Sequence, residues 1–89
     1  MPHVRIPPPY RGPTQGTGEL RVEGETVLEC LEAVERKFPG FLAQVLDDDG
    51  NVHRFVKLVK NGTHLTREAL REPLAPGDEL EIIAAIAGG

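Results

Sequence analysis

Phe55-Val56-Lys57-Leu58-Val59-Lys60-Asn61-Gly62 reads as a strand followed by a reversal. Its β-branched and aromatic residues suit a pleated, half-buried surface, and Asn-Gly supplies the positive φ angles that a tight hairpin demands. A period of two assigns Val56 and Leu58 to the face that meets the core and Phe55, Lys57 and Val59 to the other. That second face is too apolar for ordinary wet surface, which makes it a candidate docking face.

Downstream, Pro76-Gly77-Asp78 is a turn, and Glu79-Leu80-Glu81-Ile82-Ile83-Ala84-Ala85 alternates again. Leu80 and Ile82 point inward, with Glu79 and Glu81 outward. Ile83 joins Phe55 and Val59 as a third candidate for partner contact. The alternation then gives way to Ile86-Ala87-Gly88-Gly89, a tail without a polar side chain. The organisation expected is one domain over residues 1–85 and an extended reactive tail over 86–89.

Upstream, Thr26 is an N-cap and Glu29 completes a capping box three residues on. Val27, Leu28, Leu31, Val34 and Phe38 fall on one helical stripe, and Pro39-Gly40 stops the helix. Glu29 near its start and Arg36 and Lys37 near its end agree with the helix dipole. Cys30 lies beside the buried stripe, where a free cysteine is a small apolar filler. Another helical turn is expected over Phe41 to Leu46. Asp47-Asp48-Asp49-Gly50-Asn51 reads as a solvated turn, because an EF-hand would need a Glu where Leu58 stands.

At the N-terminal end, Val4 to Ile6 and Glu19 to Glu23 are short strands, with Leu20 and Val22 facing the core. The segment between them, residues 7–18, is a Pro/Gly-rich loop. A loop laid over Phe55, Val59 and Ile83 is the alternative to docking at that patch.

The chain has 89 residues, room for a single small core. Its formal charge of −4 argues against nonspecific nucleic-acid binding, which needs clustered Lys and Arg. One cysteine and three histidines without paired spacing give no zinc motif, so no metal is expected. No segment has the roughly 20 apolar residues that cross a bilayer, and the N-terminus lacks a signal-peptide h-region. The expectation is a cytoplasmic protein without a membrane partner.

Strand, strand, helix, strand, short strand or turn, strand is the order of an α+β, ubiquitin-like β-grasp: a mixed sheet with one main helix packed on one face. At this level the sequence resembles the sulfur carrier family that includes the small subunit of molybdopterin synthase and the thiamine-biosynthesis carrier. The residues that carry the resemblance are Phe55 through Gly62, Leu74 through Leu80, and Ala84-Ala85-Ile86-Ala87-Gly88-Gly89. Ile6-Pro7, Arg11 through Gly16, Thr26-Val27 and His53 through Val56 look like the branch that serves cysteine synthesis, from whose neutral strand Lys57 and Lys60 depart.

The resemblance implies that Gly89 is the reacting residue. Its carboxylate would be adenylated with ATP by an E1-like partner and converted to a thiocarboxylate. A sulfur-accepting enzyme, of cysteine-synthase type ahead of molybdopterin, thiamine or tRNA thiolation, would then take the sulfur. On this reading the chain is a cosubstrate and not an enzyme, and it binds no cofactor of its own.

The residue types suit that role. Gly88 and Gly89 have no Cβ to obstruct a narrow channel. An extended tail beyond Ala85 reaches about 13 Å at roughly 3.3 Å per residue. Many chains end in glycines because their ends fray. Here an apolar Ile86-Ala87 pair links the glycines to a strand, so the end is expected to be presented to a partner. The alternatives are a protein modifier joined through Gly89 to target lysines, and an interaction module whose tail is never activated.

Overall fold

Thr26 opens the one long helix, as its side chain predicts. In the computed structural model, which describes residues 1–66 and 68–85, Thr26 Oγ1 accepts from the Glu29 amide at 3.2 Å. The Glu29 carboxylate reaches one residue further back than a capping box requires and accepts from the Glu25 amide at 2.9 Å. Helix α1 spans Val27–Lys37. It buries Val27, Cys30, Leu31 and Val34, whereas Leu28 and Phe38 are only half-buried. The Pro39-Gly40 stop holds, and helix α2 follows at Leu42–Val45.

Five strands form the sheet: β1 (His3–Arg5), β2 (Glu19–Arg21), β3 (Val56–Lys60), β4 (Thr63–His64) and β5 (Glu79–Ala84). Their order is β2-β1-β5-β3-β4. β1 and β5 run parallel and every other pair is antiparallel, so the sheet is mixed as expected. The hairpin from β3 to β4 turns on Asn61 and Gly62, both at positive φ, the conformation for which that dipeptide is preferred.

Register explains the core. Val4 stands opposite Leu20 and Leu80, and Leu58 opposite Ile82. Cross-strand partners share a face, so this row, with Ile6 and Val56, meets the helix. Val4, Leu80 and Leu31 are fully buried. Each large apolar side chain so enclosed is worth about 1.5–3 kcal/mol relative to exposure. Val22 lies beyond β2, yet it is buried and its amide donates to the Pro2 carbonyl.

Part of the Pro/Gly-rich loop reaches the helix side of the molecule. Tyr10 packs against the core cluster, and Pro13 sits 3.6 Å from where a Cβ on Gly40 would lie. The loop therefore reaches the C-terminal end of α1. Thr14 is completely buried there, its hydroxyl donating to the Thr17 carbonyl at 2.9 Å.

Lys60 and Asp78 tie the β3 turn to the segment before β5. Lys60 Nζ donates to Glu72 Oε2 at 3.0 Å and to the Pro73 carbonyl at 2.9 Å. Asp78 accepts from Asn61 Nδ2 at 3.0 Å and from the Ala75 amide at 2.8 Å. Asn61 in turn accepts from the Glu79 amide. The hydrogen bond from Asn61, then that from Ala75, holds the Asp78 carboxyl below the ordinary aspartate range.

Candidate functional site

The sheet face away from the helix is where the sequence reading put partner contact. Strand alternation sends His3, Arg5, Glu19, Glu79, Glu81, Ile83, Lys57 and Val59 to this side. The half nearer the start of β5 is charged and internally paired. His3 Nε2 lies 3.4 Å from Glu19 and Nδ1 lies 3.9 Å from Glu79, while Arg5 Nη1 is 3.5 Å from Glu79.

The half nearer the end of β5 is different. Lys57 stands opposite Ile83, exposed and without an ion-pair partner among the described residues. Phe55, just ahead of β3, is half-buried, as is Ile83. The Arg54 guanidinium carbon sits 4.7 Å from the centre of the Phe55 ring, a cation–π contact worth about 0.5–1 kcal/mol at an exposed position. The His53 ring lies 5.7 Å from the same ring, and His53 Nδ1 accepts from the Phe55 amide at 3.3 Å.

Val59 is placed differently from Phe55 and Ile83. It is only 4 % exposed, flanked on its face by Glu81 of β5 and His64 of β4. It contributes little surface to that face. Phe55 and Ile83 thus both lie near the end of β5, and the loop over 7–18 meets the end of α1 through Pro13. Ile86, Ala87, Gly88 and Gly89 lie outside the described residues.

Arg54, which the sequence reading took in only as part of the His53–Val56 resemblance, is the neighbour whose contact with Phe55 it did not foresee. Its signal was an Arg directly before an aromatic at a strand start. Cys30 agrees with its reading as filler: it is fully buried, and burial, with the Glu29 charge second, pushes its thiol pKa up. Among the described residues no group of three or more His, Cys, Asp or Glu is placed to hold a metal ion. No helix of the described residues is long and apolar enough to cross a membrane.

The family model that matches this sequence is that of the ThiS family, over residues 13–89. The chain belongs to the ThiS family. Among solved structures, the matching chain of the Amycolatopsis orientalis BexX/CysO complex is 31% identical, with 100% of both chains covered and a TM-score of 0.90. CysO of Mycobacterium tuberculosis is 26% identical over 97% of this chain and 100% of its own, with a TM-score of 0.89. SAMP1 of Haloferax volcanii, at 23% identity, coverage of 99% and 98% and a TM-score of 0.77, shares the fold. A comparison with curated proteins gives no match. The β-grasp architecture expected from the order of elements is therefore that of the ThiS family, and its likeness to CysO agrees with the resemblance to ubiquitin-like sulfur carriers.

Proposed function

We propose that this ThiS-family chain carries sulfur on the carboxyl group of Gly89 and delivers it to a biosynthetic enzyme, with cysteine formation as the leading destination. The observation that carries the proposal is that the family match runs through to Gly89, directly beyond the central strand β5. A strand that β3 holds as far as Ala84 is a firm base for a reactive end. The likeness to CysO favours cysteine over the other destinations.

The chemistry follows from the weakness of a carboxylate as an electrophile. A Gly89 oxygen attacks the α-phosphorus of ATP in an E1-like partner, and pyrophosphate leaves. A hydrosulfide-level sulfur then attacks the acyl carbon of the adenylate, and AMP departs with the former carboxylate oxygen. The resulting thiocarboxylate sulfur is a polarizable nucleophile for the electrophile held by the accepting enzyme. The carrier regains its carboxylate when the acyl–sulfur bond is hydrolysed, which makes it a consumable cosubstrate.

This chain supplies reach, slimness and docking. Ordering the tail in a channel costs on the order of 1–2 kcal/mol per residue, an expense that contact through Phe55 and Ile83 offsets. The test is intact mass after incubation with an E1-like enzyme, ATP and a sulfide source. Exchange of one terminal oxygen for sulfur is the expected result. A ladder of heavier conjugates would instead favour a protein modifier, and an unchanged mass would remove the proposal.

A further inference from the structure

β5 is flanked unequally along its length. On one side β3 pairs with it as far as Ala84, and the Ala85 amide still donates to the Phe55 carbonyl at 2.7 Å. That bond, and the one from the Asn61 amide to the Glu79 carbonyl at 2.9 Å, fixes the parity of the ladder. Glu79, Glu81, Ile83 and Ala85 direct their main-chain groups to β3, so Leu80, Ile82 and Ala84 direct theirs to the opposite side.

On that opposite side β1 stops early. The His3 amide donates to the Asp78 carbonyl at 2.8 Å, and the parallel register runs from His3 opposite Glu79 to Arg5 opposite Glu81. Continued along the chain, it would give the Ile82 carbonyl a donor from residue 7. Residue 7 is proline, which has no N–H. The Ile6 amide is already directed to β2's side, donating to the Gly18 carbonyl at 2.8 Å. The Ile82 carbonyl and both main-chain groups of Ala84 therefore point to where a neighbouring strand would lie, with no main-chain partner there among the described residues. A notch of about 290 Å³ adjoins this edge at Ile82, with Arg5, Pro7, Arg11, Glu19 and Glu81 among the other residues of its lining.

We infer that the adenylating partner adds an extended strand of its own along the Ile82–Ala84 edge, main chain to main chain, and so aligns the tail that follows. The inference rests on the proposed function. The edge continues directly into the segment the partner must take up, and β3 already occupies the other side as far as Ala85. Arg11 and Glu81 give the notch side chains of both signs, so the recognition fits backbone amides and carbonyls better than a charged ligand. Strand addition satisfies those groups when the partner excludes water, which a flat apolar contact would not do. Pro7 keeps the edge open by removing the donor that would close it.

The test uses the full chain with a purified E1-like enzyme and ATP, read by ATP–pyrophosphate exchange and amide hydrogen exchange. In the free protein the Ala84 amide is expected to exchange much faster than the Ala85 amide, and to gain protection once the enzyme is added. Ala84→Pro removes a donor that β3 does not use, so its melting temperature stays near wild type while its KM as a carrier rises about tenfold, equivalent to about 1.4 kcal/mol. Pro7→Ala restores a donor to Ile82 and raises KM in the same direction.

An Ala84 amide that stays unprotected in the complex overturns the inference, as does an Ala84→Pro variant with wild-type KM. Should that variant fail to fold, amide exchange on the wild-type complex decides alone. Concentration-dependent protection of Ala84 in the carrier by itself would assign the edge to a second copy and overturn it too. Absence of pyrophosphate exchange with the wild-type chain would instead defeat the proposed function, and this inference with it.

Discussion

The Ala85 amide donates to the Phe55 carbonyl at 2.7 Å, so the backbone is held by the sheet up to the last described residue of the domain. The Arg54 guanidinium sits over the aromatic ring of the same Phe55. One residue thus anchors Ala85 with its backbone and holds a guanidinium against its side chain.

That dual position separates the roles of three neighbours. Val59→Ala, at a buried site, should lower stability by about 1–2 kcal/mol, at roughly 0.8 kcal/mol per buried methylene-sized group. Phe55→Ala and Ile83→Ala should weaken capture by the activating enzyme more than they lower stability. Urea unfolding beside a binding titration with that enzyme checks the split, which equal stability losses in all three would contradict.

Removing Gly89, or replacing Gly88 by Val, should abolish sulfur loading while leaving the melting temperature within a degree or so of wild type, because ΔΔG values near zero are usual at chain ends away from packed groups. Intact mass after loading, together with a thermal scan, makes the measurement. A matching fall in stability would mean that the tail belongs to the fold.

Acid should loosen the clasp around Asp78. Its carboxyl pKa is lowered in the folded chain by the Asn61 and Ala75 hydrogen bonds, with Lys60 adding a smaller push. A depressed folded value means that the contribution is complete above the unfolded aspartate value, about 3.9, and is lost as pH falls through the folded value below it. Asp78→Asn should flatten the stability profile below about pH 4, relative to wild type. Thermal melts from pH 6 downward test this, and parallel acid limbs in the two proteins would exclude it.

At the helix, Thr26→Ala should cost about 1 kcal/mol through loss of the acceptor for the Glu29 amide. Leu31→Ala, fully buried beneath the sheet, should cost about 2–5 kcal/mol. Denaturant midpoints at constant slope would give both values.

The strands and the long helix were legible because their periods are local. Leu80 and Ile82 announce an inward face without reference to any other segment, and Thr26 announces a helix start within four residues. Val59 was harder. Its parity correctly put it on the open face, but its enclosure depends on Glu81 and His64 arriving on either side, which no local pattern encodes. Glu29 was read as capping Thr26, and the loop geometry delivers its carboxylate to Glu25 instead.

The candidate site divides along the same line. Phe55 and Ile83 were found from alternation, whereas the stacking of Arg54 on Phe55 depends on how the chain enters β3. Pro7 was read as the end of a strand. Its relation to Ile82 appears only when β1 and β5, far apart in sequence, are set in register.

Cys30 is the chain's single cysteine, sealed under the sheet with a thiol that resists ionisation. A mild alkylating reagent accordingly finds little to label on the native, unloaded protein. Sulfur installed at Gly89 would stand out against that silent background as the one readily tagged atom. The amount of tag taken up by folded protein would count the loaded molecules directly, without any cysteine having to be mutated first.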